Sequence, residues 1–248
     1  MAKERLDKLV FDRGLAPSRQ RARALILAGR VLVDDAPVTK PGTAVAADAP
    51  LRLRGEERRF VSRGGLKLDG ALADLGVDVR GLVVLDVGAS TGGFTDCALA
   101  RGARRVFAVD VGTNQLDWSL RSDPRVTSLE RTNARELVPA ALPGPADLAV
   151  IDVSFISITK LLGAVIGCLA PAAQVVAMVK PQFEVGREHV GKGGVVRDDA
   201  LRTRAADRVA AAAADLGWIE RGRVDSRVSG PKGNREIFLH LTPREGAS

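Results

Sequence analysis

The segment Leu85-Asp-Val-Gly-Ala-Ser-Thr-Gly-Gly-Phe-Thr95 decides the fold class of this 248-residue chain. It overlaps the apolar run Leu82–Val87, which predicts a buried β-strand, and it opens a helical segment. In doubly wound α/β folds, a glycine turn at this point lets a ligand approach the backbone. A dinucleotide fingerprint needs glycine two residues after the first glycine, whereas Gly88 is followed at that spacing by Ser90. The segment therefore predicts a cofactor loop of another kind.

Short apolar runs rich in valine and leucine alternate with helical segments along the rest of the chain. This alternation predicts an α/β fold with a doubly wound, mostly parallel sheet. The predicted strands are Leu82–Val87, Arg105–Asp110, Val126–Glu130, Leu148–Asp152 and Val175–Lys180. No helical segment separates Arg221–Val228 from Glu236–Leu241, so these two runs predict a terminal antiparallel hairpin.

The stretch Leu161–Val179 contains no charged residue and imitates a membrane span. Pro171 and Gln174 interrupt it, and neither is expected in the middle of a bilayer without a partner. We interpret it as a helix that ends near Leu169, a short loop, and a buried strand from Val175. The stretch is therefore predicted to belong to the protein core, and no membrane partner is expected.

The first 60 residues carry most of the excess positive charge. They contain 13 lysines and arginines against 8 acidic residues, which is +5 of the chain's net +7. A basic segment of this kind suggests a polyanionic partner, but the solvated surface of an arginine-rich protein would produce it as well. The pattern predicts two helices and short strands, over Arg5–Arg13, Arg19–Ala28 with Ser18 as its cap, Val31–Val33 and Leu51–Leu53.

The same segment resembles the S4-like RNA-binding domain. The resemblance rests on Arg-Leu-Asp-Lys at residues 5–8, Ser-Arg-Gln-Arg-Ala-Arg at 18–23 and Gly-Arg-Val-Leu-Val at 29–33. It implies that RNA phosphates are bound by Arg5, Arg19, Arg23 and Arg30. We expect this domain to cover residues 1–54, a polar linker to cover 55–63, and an α/β domain to cover 64–248.

The composition is that of a soluble globular protein, with 46% apolar and 27% charged residues. Cys97 and Cys168 have no metal-ligand spacing and supply no disulfide framework, which fits a reducing compartment. The charged N-terminus lacks the apolar centre of a secretory signal. We therefore expect a cytoplasmic protein without a metal site.

The pattern Asp86-x-Gly88-x-Ser90-x-Gly92-Gly93 resembles the loop that binds S-adenosylmethionine (SAM) in class I methyltransferases. SAM carries a sulfonium and an amino-acid group instead of a pyrophosphate, so an acidic residue beside the loop is acceptable. Asp110 lies 24 residues after Asp86, where a carboxylate can accept both ribose hydroxyls. The resemblance implies SAM as cofactor, bound by Asp86, Gly88, Ser90, Gly92, Gly93, Phe94, Asp110, Val111 and Asn133.

Four polar residues that are far apart in the sequence are candidates for catalysis. Lys67 lies on the helix before the sheet, Asp152 and Lys180 end the fourth and fifth strands, and Glu236 lies on the final hairpin. Because strand carboxyl ends converge on the site, at least Asp152 and Lys180 should face the cofactor. The four resemble the Lys-Asp-Lys-Glu tetrad of the ribose 2′-O-methyltransferases related to FtsJ, and we refer to them as the tetrad.

The expected chemistry explains these residue types. A ribose hydroxyl is a poor nucleophile at neutral pH, so a nearby group must accept its proton or orient it. A lysine can accept a proton only where burial or another cation lowers its pKa. We assign Lys180 as proton acceptor or hydroxyl orienter, supported by Lys67, Asp152 and Glu236.

Taken together, the motifs resemble the TlyA family of rRNA (cytidine-2′-O)-methyltransferases. Further matching segments are Val61–Lys67, Glu130–Arg135, Ser154–Ser157 and Lys180–Gly186. The resemblance implies methylation of cytidine ribose in the RNA of a ribosomal subunit. The chain ends seven residues after Leu241, which favours the shorter family form that acts on the large subunit.

Other functions predict features that the sequence lacks. Amino-methylating enzymes usually carry an Asn/Asp-Pro-Pro-aromatic motif where this chain has Asp152-Val-Ser-Phe155, and cytosine C5 enzymes need a cysteine in the site. A pore-forming hemolysin would need a secretion signal and a membrane-inserting segment. A non-catalytic RNA-binding ribosome factor remains the main alternative, because it needs only the basic module.

Overall fold

A computed structural model describes residues 3–54, 59–230 and 233–244. The chain divides into two compact units, Met1–Arg59 and Phe60–Ser248. Within the predicted linker, residues 55–58 lie outside the described part of the chain. Arg59 ends the first unit, and residues 60–63 belong to the second, where Phe60 is buried and the backbone N–H of Val61 donates to Asp96 Oδ2 at 2.8 Å.

The N-terminal unit packs a pair of helices against short antiparallel strands. Its elements are β1 (Lys3–Arg5), α1 (Leu6–Asp12), α2 (Arg19–Leu27), β2 (Val31–Val33), β3 (Ala36–Pro37), β4 (Ala44–Ala46) and β5 (Leu51–Leu53). Strand β2 pairs with β3 and β5, and β1 pairs with β4. A small core of leucine, isoleucine and valine side chains from both helices and from β2 holds the unit together.

Both predicted helices and the predicted strands of this unit are confirmed. The Ser18 hydroxyl caps α2 by accepting the backbone N–H of Arg21 at 3.1 Å, which satisfies one donor of the first turn. Strands β1, β3 and β4 were not predicted. They are two or three residues long and consist of Lys-Glu-Arg, Ala-Pro and Ala-Val-Ala, so none shows a usable apolar alternation.

The second unit is built on a sheet of seven strands among its described residues. The strands are β6 (Val83–Val87), β7 (Arg105–Val109), β8 (Val126–Leu129), β9 (Ala146–Ile151), β10 (Leu169–Val179), β11 (Trp218–Asp225) and β12 (Ile237–Pro243). The helices are α3 (Arg63–Leu75), α4 (Gly93–Ala100), α5 (Trp118–Arg121), α6 (Leu162–Ile166), α7 (Pro181–Glu184) and α8 (Asp199–Asp215).

The strand order is β11-β12-β10-β9-β6-β7-β8. Strands β10, β9, β6, β7 and β8 are parallel, and β12 is antiparallel to both β10 and β11. The predicted doubly wound sheet with a terminal antiparallel hairpin is confirmed. Because β7 lies on one side of β6 and β9 on the other, the strand order reverses at β6. Ligands of open α/β sheets bind at such a switch point, outside the carboxyl ends of the strands.

Apolar clusters cover both faces of the sheet. Val83, Leu85 and Val87 belong to one cluster together with residues of α6 and α8, whereas Val84 belongs to the other with residues of α3 and α4. Successive side chains of a strand point to opposite faces, so the alternation along β6 assigns one cluster to each face. Both cysteines, Cys97 and Cys168, are buried in these clusters.

The uncharged stretch 161–179 departs from its prediction. Helix α6 already ends at Ile166, and β10 begins at Leu169 rather than at Val175. The pairing of β10 with β9 shifts register between Leu169 and Gln174, and Pro171 lies within that irregular part. Proline has no N–H to donate to a ladder, so an irregular stretch is where a strand can contain it. The prediction of a loop at Pro171 was therefore wrong.

Candidate active site

The glycine loop connects β6 to α4 at the switch point. Gly88 and Gly92 have φ of +86° and +93°, in the left-handed region that favours glycine. A Cβ atom on Gly88 would lie 2.7 Å from the carbonyl oxygen of Asp152, so this position also requires the absence of a side chain. The loop therefore lies directly against the chain that leaves β9, where one member of the tetrad is found.

Asp110 ties the glycine loop to the end of β7. Its Oδ2 accepts the backbone N–H of Ser90 at 2.8 Å, and its Oδ1 accepts that of Gly112 at 2.7 Å. Beside it lies a cavity, partly open to solvent, whose polar lining includes Ser90, Asp110, Gln115 and Glu130. Two carboxylates at one cavity give it acceptors for the hydroxyl or amino groups of a ligand.

The other predicted cofactor residues have different surroundings. Phe94 is buried and its ring stacks on Phe238 at 6.1 Å, while Val111 is 70% exposed and does not line the cavity. The Asn133 side chain caps the helical turn Ala134–Glu136 by accepting the backbone N–H of Arg135 at 3.2 Å. Ser90 and Asp110 are thus the predicted residues that the structure brings to the cavity.

Asp86 lies on β6 below the glycine loop and is completely buried. Its Oδ2 accepts the Thr95 hydroxyl at 2.6 Å, whereas its Oδ1 is buried and has no hydrogen-bond partner among the residues that the structure describes. Burial raises the pKa of Asp86 to about 7, and the nearby negative charges of Asp152 and Asp110 act in the same direction. A buried carboxylate with one unsatisfied oxygen favours a cationic or donor group beside it.

The structure brings the tetrad together as two ion pairs. The ammonium of Lys67, on α3, contacts the Glu236 carboxylate just before β12, and both side chains are buried. Lys180, directly after β10, places its Nζ 2.5 Å from Asp152 Oδ1, directly after β9. Burial raises the pKa of Asp152 even though the positive charges of Lys180 and Lys67 lower it, so Lys67 also acts on the second pair.

The rim beside Lys180 carries polar and aromatic groups. Lys180 Nζ donates to Ser154 Oγ at 2.8 Å. The next residue, Phe155, has φ of +65° and is 90% exposed, and its ring centroid lies 5.2 Å from that of Phe183. A large aromatic side chain held outward in a strained conformation is a feature of ligand-contacting sites.

The predicted RNA-binding arginines lie in the N-terminal unit. The guanidinium groups of Arg5 and Arg19 both contact the Asp7 carboxylate. Arg23 is exposed on α2, and Arg30 Nε donates to the carbonyl oxygen of Arg54 at 3.4 Å. The structure thus places two of the four arginines around one acidic residue.

Comparison with known proteins agrees with this geometry. The FtsJ-like methyltransferase family model matches residues 60–242, and the S4 domain model matches residues 4–50. The chain is 52% identical over 238 residues to the 16S/23S rRNA (cytidine-2′-O)-methyltransferase TlyA of Mycobacterium tuberculosis. The aligned residues cover 96% of this chain and 89% of that protein. The chain belongs to the TlyA family of FtsJ-like methyltransferases.

Two further proteins are similar to the chain. The 23S rRNA (cytidine-2′-O)-methyltransferase TlyA of Campylobacter jejuni is 37% identical over 73% of this chain and 70% of its own length. A solved structure described as a hemolysin, from Streptococcus thermophilus, is 44% identical with a TM-score of 0.75, over 99% of this chain and 90% of that one. Within residues 3–54, 59–230 and 233–244, no helix has the length and apolar character needed to cross a membrane.

One buried residue of this TlyA-family site escaped the sequence analysis. The Glu184 carboxylate accepts the Ser157 hydroxyl at 2.5 Å and the backbone N–H of Ile158 at 2.8 Å. It thereby joins the segment after β10, which begins with Lys180, to the segment after β9, which begins with Asp152. Its position four residues after Lys180 was visible in the sequence, but its partners were not.

A second group of buried polar residues fixes the backbone beside Glu236. Asn234 Oδ1 accepts the backbone N–H of Val196 at 3.0 Å, and its Nδ2 donates to the carbonyl oxygen of Gly194 at 2.8 Å. The buried Arg202 donates from Nε to the carbonyl oxygen of Arg235 at 3.1 Å. These bonds fix the backbone on the N-terminal side of Glu236, and none of them could be foreseen from spacing.

The buried Asp86 predicts a specific dependence of stability on pH. Its folded pKa of about 7 exceeds the value of 3.8 for an unperturbed aspartate, so between these values the folded chain binds a proton that the unfolded chain does not. Stability should therefore fall as the pH rises through this window, by up to about 4 kcal/mol. Chemical denaturation at pH 5 and pH 8 should show that Asp86→Asn lacks this loss.

The control is Asp215→Asn, which makes the same charge change at an exposed position of α8. It should follow the pH dependence of the unmodified protein. If Asp86→Asn and Asp215→Asn lost the same stability between pH 5 and pH 8, Asp86 would not be the group responsible.

Glu184→Gln should lower the free energy of unfolding by about 1–3 kcal/mol, because glutamine keeps only one acceptor atom and no charge, so the two charged hydrogen bonds to Ser157 and Ile158 cannot both persist. Urea denaturation measures the change. Glu188→Gln is the matched control in the same segment, because the Glu188 side chain is 72% exposed. Equal stability of the two variants would contradict a structural role for the Glu184 hydrogen bonds.

Proposed function

We propose that this protein transfers the methyl group of SAM to the ribose 2′-hydroxyl of a cytidine in ribosomal RNA. The observation that carries the proposal is the convergence of the tetrad, as two ion pairs, beside the glycine loop at the sheet's switch point. Both named relatives are cytidine-2′-O-methyltransferases, and 23S rRNA is common to the two names. Large-subunit rRNA is therefore the substrate that we propose.

The residues around the loop fit SAM. The carboxylate of Asp110 and the neighbouring Glu130 line the cavity and can accept ribose hydroxyls or an amino group. The sulfonium and ammonium of SAM are cations, which suits a region that contains the carboxylates of Asp86, Asp110 and Asp152. Asp86 Oδ1, which has no hydrogen-bond partner within the described part of the chain, supports the same choice. When bound, SAM supplies an electrophilic methyl group.

Lys180 and Asp152 are the groups that we assign to the ribose hydroxyl. In the reaction the hydroxyl oxygen forms a bond to the methyl carbon, the carbon–sulfur bond breaks with its electrons remaining on sulfur, and the hydroxyl proton must leave. A lysine paired with a carboxylate can orient the hydroxyl and pass its proton on, because the pair offers both a donor and an acceptor. Holding the oxygen in line with the methyl group contributes to the rate as well.

The Lys67–Glu236 pair acts electrostatically on the Lys180–Asp152 pair. Its buried cation lowers the pKa of Asp152 and so favours the ionised carboxylate that holds Lys180. Glu236 neutralises that cation at close range, so that the site does not contain two uncompensated lysines. We therefore propose Lys67 and Glu236 as positioning residues and Lys180 with Asp152 as the catalytic pair.

Two features favour RNA as the methyl acceptor over a small molecule. The S4 domain model matches residues 4–50, and the segment up to Phe60 carries most of the net positive charge. At the rim of the site, Phe155 presents a ring that can stack on a base, which is a common way of holding an unpaired nucleotide. A non-catalytic ribosome factor would not need the tetrad.

Lys180→Ala should reduce methyl transfer by about two orders of magnitude or more, the scale of losing a proton-transfer group, while SAM affinity stays nearly unchanged. Incorporation of labelled methyl groups is measured on purified large and small ribosomal subunits at saturating substrate, and SAM binding is measured by calorimetry. Lys160→Ala, which removes an exposed lysine, serves as the control. Wild-type turnover by the Lys180 variant would remove this residue from the mechanism.

Asp110→Ala should weaken SAM binding by roughly 1–3 kcal/mol, because the ligand loses a charged acceptor and the loop loses the bonds to Ser90 and Gly112. Isothermal titration of each variant with SAM measures the effect. Asp215→Ala changes the net charge equally without touching the cavity and should bind SAM as the unmodified protein does. An Asp110 variant with undiminished SAM affinity would place the cofactor elsewhere.

A further inference from the structure

Asp7 is a buried acidic residue in the part of the chain that carries most of the positive charge. It lies in the first turn of α1 and is 1% exposed. Its carboxylate accepts Arg5 Nε at 3.0 Å and Arg5 Nη2 at 3.1 Å, one bond on each oxygen. Arg19 Nη2, from α2, lies 3.4 Å from Oδ2. A single carboxylate therefore binds two arginines from different elements.

The two guanidinium groups lie at the surface even though their shared partner does not. The Arg5 and Arg19 side chains are 57% and 54% exposed, whereas that of Asp7 is 2% exposed. Asp7 is fixed from the other side, since its carboxylate also accepts the backbone N–H of Lys8 and its own N–H donates to the Pro41 carbonyl. The buried carboxylate is thus fixed in place and binds two exposed cations.

This arrangement changes what the two arginines can do. A two-pronged bond to a carboxylate fixes the plane of a guanidinium, and Arg5 makes such a bond. Both guanidiniums touch Oδ2, so they are held side by side despite their mutual repulsion. Each keeps N–H groups that Asp7 does not use, and a guanidinium presents five such donors. The hydrogen bond from Arg5 lowers the pKa of Asp7, so the carboxylate stays ionised at neutral pH.

We propose that Asp7 is a positioning residue that holds Arg5 and Arg19 as a preformed pair for phosphate groups of RNA. The inference rests on the proposed function, because it takes rRNA as the ligand of the N-terminal unit. An exposed arginine normally loses side-chain entropy when it binds a phosphate, and a side chain that is already fixed loses less. A preformed pair also sets the spacing at which two donors meet the backbone of the RNA.

A competing role for Asp7 predicts the opposite change in RNA affinity. If Asp7 merely neutralised the arginines, it would compete with phosphate, and its removal would strengthen RNA binding. Replacement by asparagine adds one unit of positive charge, which by itself also favours a polyanion. A weaker complex after Asp7→Asn can therefore not come from the change of net charge.

The test measures the affinity of the full-length protein for purified large ribosomal subunits at several salt concentrations. Asp7→Asn should bind about tenfold more weakly, the scale of leaving two long side chains to be ordered on binding. Asp12→Asn is the matched control on α1, because its side chain is 43% exposed and the charge change is identical. It should bind as tightly as the unmodified protein or more tightly.

A second set of variants separates positioning from damage to the fold. When Arg5 and Arg19 are both alanine, Asp7→Asn should have no further weakening effect, because Asp7 acts through them. Arg5→Lys keeps the charge but cannot make the two-pronged bond, so it should weaken binding nearly as much as Arg5→Ala. Arg52→Lys, at a 60% exposed position of the same unit that is not among the predicted RNA-binding arginines, should be tolerated.

The outcomes are distinct. Equal or tighter binding by Asp7→Asn, or tolerance of Arg5→Lys equal to that of Arg52→Lys, would overturn the inference about Asp7. Weakening by Asp7→Asn that persists in the Arg5→Ala/Arg19→Ala background would overturn it too, because the effect would then come from altered folding. An unmodified protein that does not bind the subunit at all would instead contradict the proposed function.

Discussion

The cofactor loop and the tetrad both depend on a close approach between Gly88 and the backbone of Asp152. The backbone N–H of Asp152 donates to the Val87 carbonyl at 2.9 Å, which extends the β6–β9 pairing to the last residue of β6. A Cβ atom on Gly88 would lie 2.7 Å from the Asp152 carbonyl oxygen. A side chain there would push the two strand ends apart and move Asp152 away from the loop. The distance between the candidate cofactor site and Lys180 is therefore set by backbone packing.

Buried charge is the second constraint on the site, and it comes from the same packing. Asp86 is completely buried and the Lys67–Glu236 pair nearly so, and removing ions from water costs several kcal/mol for each. Partners within the site offset only part of that cost, which is why burial raises the pKa of Asp86 and of Asp152. Such a site is costly for stability and suited to a cationic ligand. The apolar clusters on both faces of the sheet supply the stability that it needs.

Much of the fold could be predicted from local pattern, whereas the partners in the site could not. Short valine-rich runs predict the parallel strands. Ser18 predicts the start of α2, because a serine hydroxyl just before a helix can cap its first turn. Strand β10 was predicted too short, because a proline normally excludes a position from a regular strand. Pro171 is accommodated by the irregular register beside β9, which the sequence does not indicate. The pairing of Lys67 with Glu236 spans 169 positions, and no periodicity in the sequence reports a contact at that separation.

Both units contain a buried carboxylate that is paired with a cation, and they differ in whether the cation is buried as well. In the second unit, Glu236 and its partner Lys67 are both withdrawn from water, so the pair acts over a short range on Asp152. In the N-terminal unit only Asp7 is withdrawn, and the cations of Arg5 and Arg19 remain in solvent. A buried cation can shift the protonation of one neighbouring group, whereas an exposed cation can bind a large anionic partner. Burial, more than residue type, thus separates a group suited to chemistry from a group suited to binding.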